Sequence, residues 1–192
     1  MWRNTRTSFG LGAIVLHWSV AVAVTAAFAV GWATRETADD PALQFTLFQW
    51  HKSFGFLALA LAAARIGYAL ASVRPGPVPG TPRFQRTAAR VVHALLLTLT
   101  LAVPIAGWVV ASASPLAIPS LVFDLVLVPH LPLPKSEPLE SAAAEMHMVL
   151  AWAAAALVAL HAGAALAHAV VLRDGTLRRI LPGGRAGRAD GD

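Results

Sequence analysis

Cysteine is absent from the 192-residue chain. That excludes disulfides, thiolate-bound metals, cysteine-ligated iron–sulfur clusters and thioether attachment of a c-type haem. Any cofactor must be held through histidine, methionine or carboxylate. Charge is scarce as well: 13% of residues are charged, while 57% are hydrophobic. Soluble domains carry about 25% charged residues. So apolar a chain cannot cover a water-facing surface, and lipid is the solvent it implies. The basic excess, 15 Lys and Arg against 10 Asp and Glu, does not point to nucleic acid, because the arginines sit in short loops beside apolar stretches.

A transmembrane helix needs about 20 largely apolar residues. Four stretches meet this, roughly Leu11 to Thr34, Leu47 to Ser72, Ala88 to Ser112 and Ala142 to Leu172. The segment Arg74-Pro75-Gly76-Pro77-Val78-Pro79-Gly80-Thr81-Pro82 cannot continue a helix and separates the second span from the third. A Pro-rich connection from Pro115 to Pro138 precedes the fourth, and its length predicts a cap over one face with a short helical piece near Ser120 to Val126. The expected fold is an all-α membrane protein, a four-transmembrane-helix bundle. A single domain over residues 1–182 is followed by a disordered tail over 183–192. The first span resembles a signal peptide in its Arg-bearing start, but its apolar run is too long for one.

Arginine and lysine near helix ends set orientation. Arg3, Arg6, Arg74, Arg83, Arg86, Arg90, Arg173, Arg178, Arg179, Arg185 and Arg188 lie on one side; Arg35, Lys52 and Lys135 lie on the other. Eleven against three places both termini in the cytoplasm.

Seven histidines remain. A histidine within a span is costly and marks function by default. His17 lies near the cytoplasmic start of the first span, and His51 near the outer start of the second. His147 lies near the outer start of the fourth, with His161 fourteen residues further on. Fourteen residues are close to four helical turns and about 21 Å of rise, so His147 and His161 share one face at two depths. Each gains a depth-matched partner: His51 with His147 outside, His17 with His161 inside. Two imidazoles from different helices at one depth are what bis-histidine haem requires, and helix bundles build cofactor sites from facing side chains. Small residues beside the ligands, such as Gly55 and the alanines around His161, leave room for a flat macrocycle. Imidazole also suits zinc, copper or nickel, and any single buried histidine can simply be a hydrogen-bonded core group.

Arg65 lies fourteen residues after His51, facing the interior at the inner depth, where it can pair with a haem propionate or snorkel to headgroups. Lys52, beside His51, can do the same outside or attract small anions. His168, two turns past His161, can hydrogen-bond a quinone carbonyl and deliver a proton. His93 shares that depth, and His130 in the outer loop is expected to be solvated.

Taken in order, His17-Trp18, Trp50-His51-Lys52-Ser53-Phe54-Gly55, Arg65, Pro104-Ile105-Ala106-Gly107-Trp108, Glu145-Met146-His147 and Leu160-His161-Ala162-Gly163-Ala164-Ala165-Leu166-Ala167-His168, with Arg173-Asp174-Gly175-Thr176-Leu177-Arg178-Arg179-Ile180-Leu181-Pro182, resemble the bacterial cytochrome b561 family. The resemblance implies a multi-pass protein of the bacterial inner membrane carrying two haem b groups. By motif position their iron ligands would be His17, His51, His147 and His161. It further implies superoxide:ubiquinone oxidoreductase activity, with superoxide as a small anionic donor outside and ubiquinone as acceptor. The sequence departs from the pattern at Ala169, where relatives often carry a second histidine. Two other functions stay open: a cytochrome b subunit linking a partner dehydrogenase or hydrogenase to the quinone pool, and a haem-free, His-lined metal transporter or anchor. Association with a partner redox subunit or as a homo-oligomer is compatible with the first two.

Overall fold

The computed structural model describes residues 2–181; the tail expected over 183–192 lies outside the described residues. Four long helices dominate: α1 (Leu11–Glu36), α2 (Pro41–Leu70), α3 (Arg83–Ala113) and α4 (Glu137–Ala167). All four are long and apolar enough to cross a membrane, α4 counting together with the turn that extends it to Leu172.

Three helices begin earlier than the apolar runs predict, because their starts are set by caps and not by hydrophobicity. The Asp40 carboxylate accepts from the Leu43 amide at 3.0 Å, and Pro41 takes the first turn, where no amide donor is needed. Ser136 caps α4 in the same way, its hydroxyl accepting from Leu139, with Pro138 behind it. At α3 the extended backbone of Pro82 opens the helix through polar Arg83, Gln85 and Arg86.

Apart from Ile14, Val20 and Thr34, the buried positions among the described residues are small, among them Ala23, Ala58, Ala62, Ala106, Ala113, Ala143, Ser53 and Ser112. Large apolar side chains such as Val22, Val149 and Leu160 instead point outward from the spans, the arrangement that suits lipid. Helix α1 packs along α2, α3 along α4, and α2 touches α3. Among the described residues, α4 makes almost no close backbone approach to α1 or α2. That gap is bridged by rings: Trp152 of α4 meets Phe28 and Trp32 of α1 at 5.4 and 5.6 Å between centroids.

The connection between α3 and α4 is not helical near Ser120 to Val126, as the sequence had suggested. It forms an antiparallel hairpin, β1 (Ser120–Val122) with β2 (Val126–Val128), Val122 facing Val126. β-branched valines at these positions favour extended backbone over helix. At the turn Phe123 and Asp124 adopt left-handed conformations, φ 50° and 56°. For a bulky residue this costs roughly 1–2 kcal/mol. Packing holds it in place: the Phe123 ring stands 5.4 Å from Phe54 and 5.8 Å from Trp50, and its amide donates to the Ser53 hydroxyl.

Candidate functional site

The structure brings the outer pair together. His51 of α2 and His147 of α4 face each other with ring centroids 5.9 Å apart and planes at 85°. Both rings are oriented by backbone. His51 Nδ1–H donates to the Ala27 carbonyl at 2.8 Å, and His147 Nδ1–H donates to the Val103 carbonyl at 2.9 Å. Anchoring Nδ1 as the donor leaves Nε2 with a free lone pair, the tautomer and orientation that a metal-binding imidazole needs.

Each carbonyl is made reachable by a glycine one turn further along its helix. A Cβ on Gly31 would stand 2.7 Å from His51 Cε1 and Nδ1, and one on Gly107 would stand 3.0 Å from His147 Cε1. Ala27 and Gly31 on α1 thus do for His51 what Val103 and Gly107 on α3 do for His147. Beside the pair opens a cleft between α2, α3 and α4, lined by Gly55, Phe56, Pro104 and Trp108. Lys52 also lines it, but its ammonium donates to the Pro119 carbonyl at 3.0 Å.

The inner pair is also juxtaposed. His17 of α1 and His161 of α4 have centroids 6.3 Å apart. Here the backbone anchors are missing: His17 Nδ1 is buried without a hydrogen-bond partner among the described residues. A third imidazole, His93 of α3, lies 5.3 Å from the His161 ring. Arg65 sits within electrostatic range of His17, His93 and His161, with no carboxylate partner among the described residues.

Haem fits both pairs. An imidazole nitrogen binds a metal at about 2 Å; adding the distance from nitrogen to ring centre on each side gives roughly 6 Å between centroids for two imidazoles on one metal. The observed 5.9 and 6.3 Å match this. The helices bearing each pair are held apart, as a macrocycle between them would demand. A small ion fits less well, since among the described residues no group of three or more His, Asp or Glu is placed to hold one.

The profile of the prokaryotic cytochrome b561 family matches residues 8–183. The chain belongs to that family. It is 31% identical over 179 residues to Cytochrome b561 homolog 2 of Escherichia coli (strain K12), covering 93% of each protein. With Cytochrome b561 homolog 1 of the same strain it shares 28% over 173 residues, 88% of this chain and 94% of the relative. As a prokaryotic cytochrome b561 it is a multi-pass bacterial membrane protein of electron transfer with b-type haem.

Around the paired histidines the other candidates of this cytochrome b561 are placed as follows. His168 opens a π-helical turn, His168–Leu172, that ends α4. Its Nδ1 meets Asp174 Oδ2 at 2.5 Å, while Asp174 Oδ1 accepts from the Thr176 amide at 2.9 Å. Burial works to raise the Asp174 carboxyl. The hydrogen bonds from Thr176 and His168 outweigh it and hold the group below its ordinary value. A depressed carboxylate stabilises the fold above its unfolded pKa of about 3.9, and that contribution is lost as pH falls through the lower folded value. Protection of the Thr176 amide against hydrogen exchange is therefore expected to persist at neutral pH and fall away in that acid range, and Asp174→Asn is expected to weaken it at neutral pH and to remove the pH dependence.

His130 is not merely solvated. Its Nε2–H donates to the Ile118 carbonyl at 3.2 Å, and its Nδ1 accepts from Lys135, which also donates to the Ser112 carbonyl. Trp50 turns toward the hairpin, and Trp18 donates to the Ile180 carbonyl at 2.9 Å. Gly31 and Asp174 carry roles that sequence reasoning did not assign. No local signal separates Gly31 from an ordinary helix-packing glycine; Asp174 stood in a recognised run without a visible partner.

Proposed function

We propose that the chain holds two b-type haems, one between His51 and His147 and one between His17 and His161. On this reading it carries electrons through the bilayer from superoxide at the outer face to ubiquinone at the inner. The observation that carries the reading is the pair of facing imidazoles at each of two depths, at separations suited to one iron each. Bound haem supplies reversible one-electron chemistry; the protein's part is ligation, orientation and charge.

The outer ligands are anchored at Nδ1 by the Ala27 and Val103 carbonyls, which leaves both Nε2 atoms available to a metal. Arg65, free of carboxylates among the described residues, is suited to an inner propionate by charge-assisted hydrogen bonds. Overall, two superoxide anions give up one electron each and leave as dioxygen, while one quinone gains two electrons and two protons to become quinol. At the outer end Lys52 gives one donor to a carbonyl, and Lys135 one to a carbonyl and one to His130, so of an ammonium's three donors at least one is left for an anion. At the inner end His168, with Nδ1 engaged by Asp174, is left with Nε2 to exchange a proton with a quinone oxygen.

The reduced-minus-oxidised visible spectrum of the purified protein, with haem quantified per chain, tests this core. About two low-spin b haems per chain are expected; none, in folded protein made with ample haem, would sink the assignment. Stopped-flow reduction by superoxide, with and without a ubiquinone analogue, then tests donor and acceptor. A second reading, a cytochrome subunit serving a partner dehydrogenase or hydrogenase, draws on one observation: the outer hairpin exposes Leu121, Leu125, Val126 and Leu127.

A further inference from the structure

That exposed apolar hairpin invites a partner protein only if water surrounds it, and its position along α2 decides the matter. The charged turn at the outer end of the bundle runs through Asp39 and Asp40, where α1 hands over to α2. Ser53 comes thirteen residues after Asp40, about 20 Å further down the helix. The hairpin is fastened at this lower level. The Pro119 carbonyl accepts from Gln49 and Lys52, the Leu121 carbonyl accepts from Ser53, and the Phe123 ring rests on Phe54. All of β1 meets α2 within one stretch, Gln49 to Phe54, with Leu121 and Phe123 both bonded to Ser53, so the strand lies against the flank of α2 and not over its top. With the inner boundary taken at Leu70, where α2 ends, a hydrocarbon core of about 30 Å reaches the level of Trp50. The turn of the hairpin therefore sits at or just within the outer boundary of the hydrocarbon.

We propose that the β1–β2 hairpin is an interfacial membrane element whose apolar side chains lie among the acyl chains of the outer leaflet. The surface composition fits. Leu125 is 85% exposed, Leu127 61%, Val126 58% and Leu121 40%, an apolar set that water would penalise and acyl chains accommodate. Asp124 at the turn limits the depth, because a carboxylate is costly within hydrocarbon. The edges of a two-stranded ladder carry unpaired amides and carbonyls, which the hydrocarbon centre forbids and the interface can satisfy. The hairpin thus lies in the boundary, shielding the flank of α2 that bears Ser53 and Phe54. The depth of the hairpin is independent of haem content and of electron donor.

The absence of cysteine makes the test clean. A nitroxide is attached at Leu125→Cys, and separately at Leu127→Cys, in the full chain reconstituted into phosphatidylcholine–phosphatidylglycerol vesicles; Asp39→Cys serves as the aqueous reference. Power-saturation electron paramagnetic resonance then compares access of oxygen, which concentrates in lipid, with access of a water-soluble nickel chelate. High oxygen access and several-fold lower nickel access than at Asp39→Cys are expected for both hairpin labels. Nickel access equal to the reference would overturn the proposal by placing the hairpin in water. Exclusion of both reagents would overturn it in favour of a protein–protein contact.

Discussion

His147→Ala is expected to lower haem content from about two to about one per chain, removing the outer group and sparing the inner. The same change at His161 is expected to remove the inner group alone. The separation rests on the distances: the two ligands of α4 stand four turns apart, about 21 Å, so neither can reach the other's partner. Each helix pair also packs through its own contacts, and an alanine at either place introduces no clash. Difference spectra of the two variants, with haem quantified per chain, read the result. Both variants retaining two haems would refute the pairing of His51 with His147 and of His17 with His161. If His161→Ala alone kept two, attention would pass to His93, whose ring already lies 5.3 Å from His161.

Gly31→Ala is expected to damage the outer site almost as severely, although residue 31 coordinates nothing. The added methyl would stand 2.7 Å from two atoms of the His51 ring, closer than folded proteins tolerate. To make room the ring must rotate or withdraw, which strains its bond to the Ala27 carbonyl and shifts Nε2 from its place. Loss of an orienting bond of this kind typically weakens metal affinity by roughly 10–100-fold. Gly107→Ala, at 3.0 Å from His147, is expected to act in the same direction but less strongly, and Gly67→Ala, with nothing within 4 Å, to leave haem unchanged. Haem retention during dilution, measured for the three variants side by side, checks that order. Equal retention in Gly31→Ala and Gly67→Ala would mean that the approach of His51 to Ala27 is not needed for binding.

Much of this arrangement was legible in the chain because it follows from spacing. Apolar runs gave the four helices, and the interval from His147 to His161, being close to a whole number of turns, placed both on one face. What escaped were features made by contact between distant segments. The capped starts of α2 and α4 lie in polar residues that a hydrophobic run does not include. The hairpin over residues 120–128 was hidden by a Pro-rich setting, although Val122, Val126 and Val128 favour strand. The carbonyls of Ala27 and Val103 could not be foreseen, because a main-chain acceptor has no residue type to search for. The closeness of His93 to His161 depends on how α3 leans against α4, which only tertiary packing determines.

The separation of α4 from α1 and α2 has a consequence for how the protein is made. Two hairpin-like halves, α1 with α2 and α3 with α4, can each form as soon as their own spans enter the bilayer. The halves touch through α2 and α3, while on the other side they meet through side chains, Trp152 against Phe28 and Trp32 and the paired histidines. Under the proposed assignment, haem would fill the rest of that seam, and its capture would join the two halves after each has formed. A chain that has not captured haem would expose an open flank to the quality-control proteases of the membrane. Haem supply would then set how much of the protein survives, before it had any bearing on how fast electrons move.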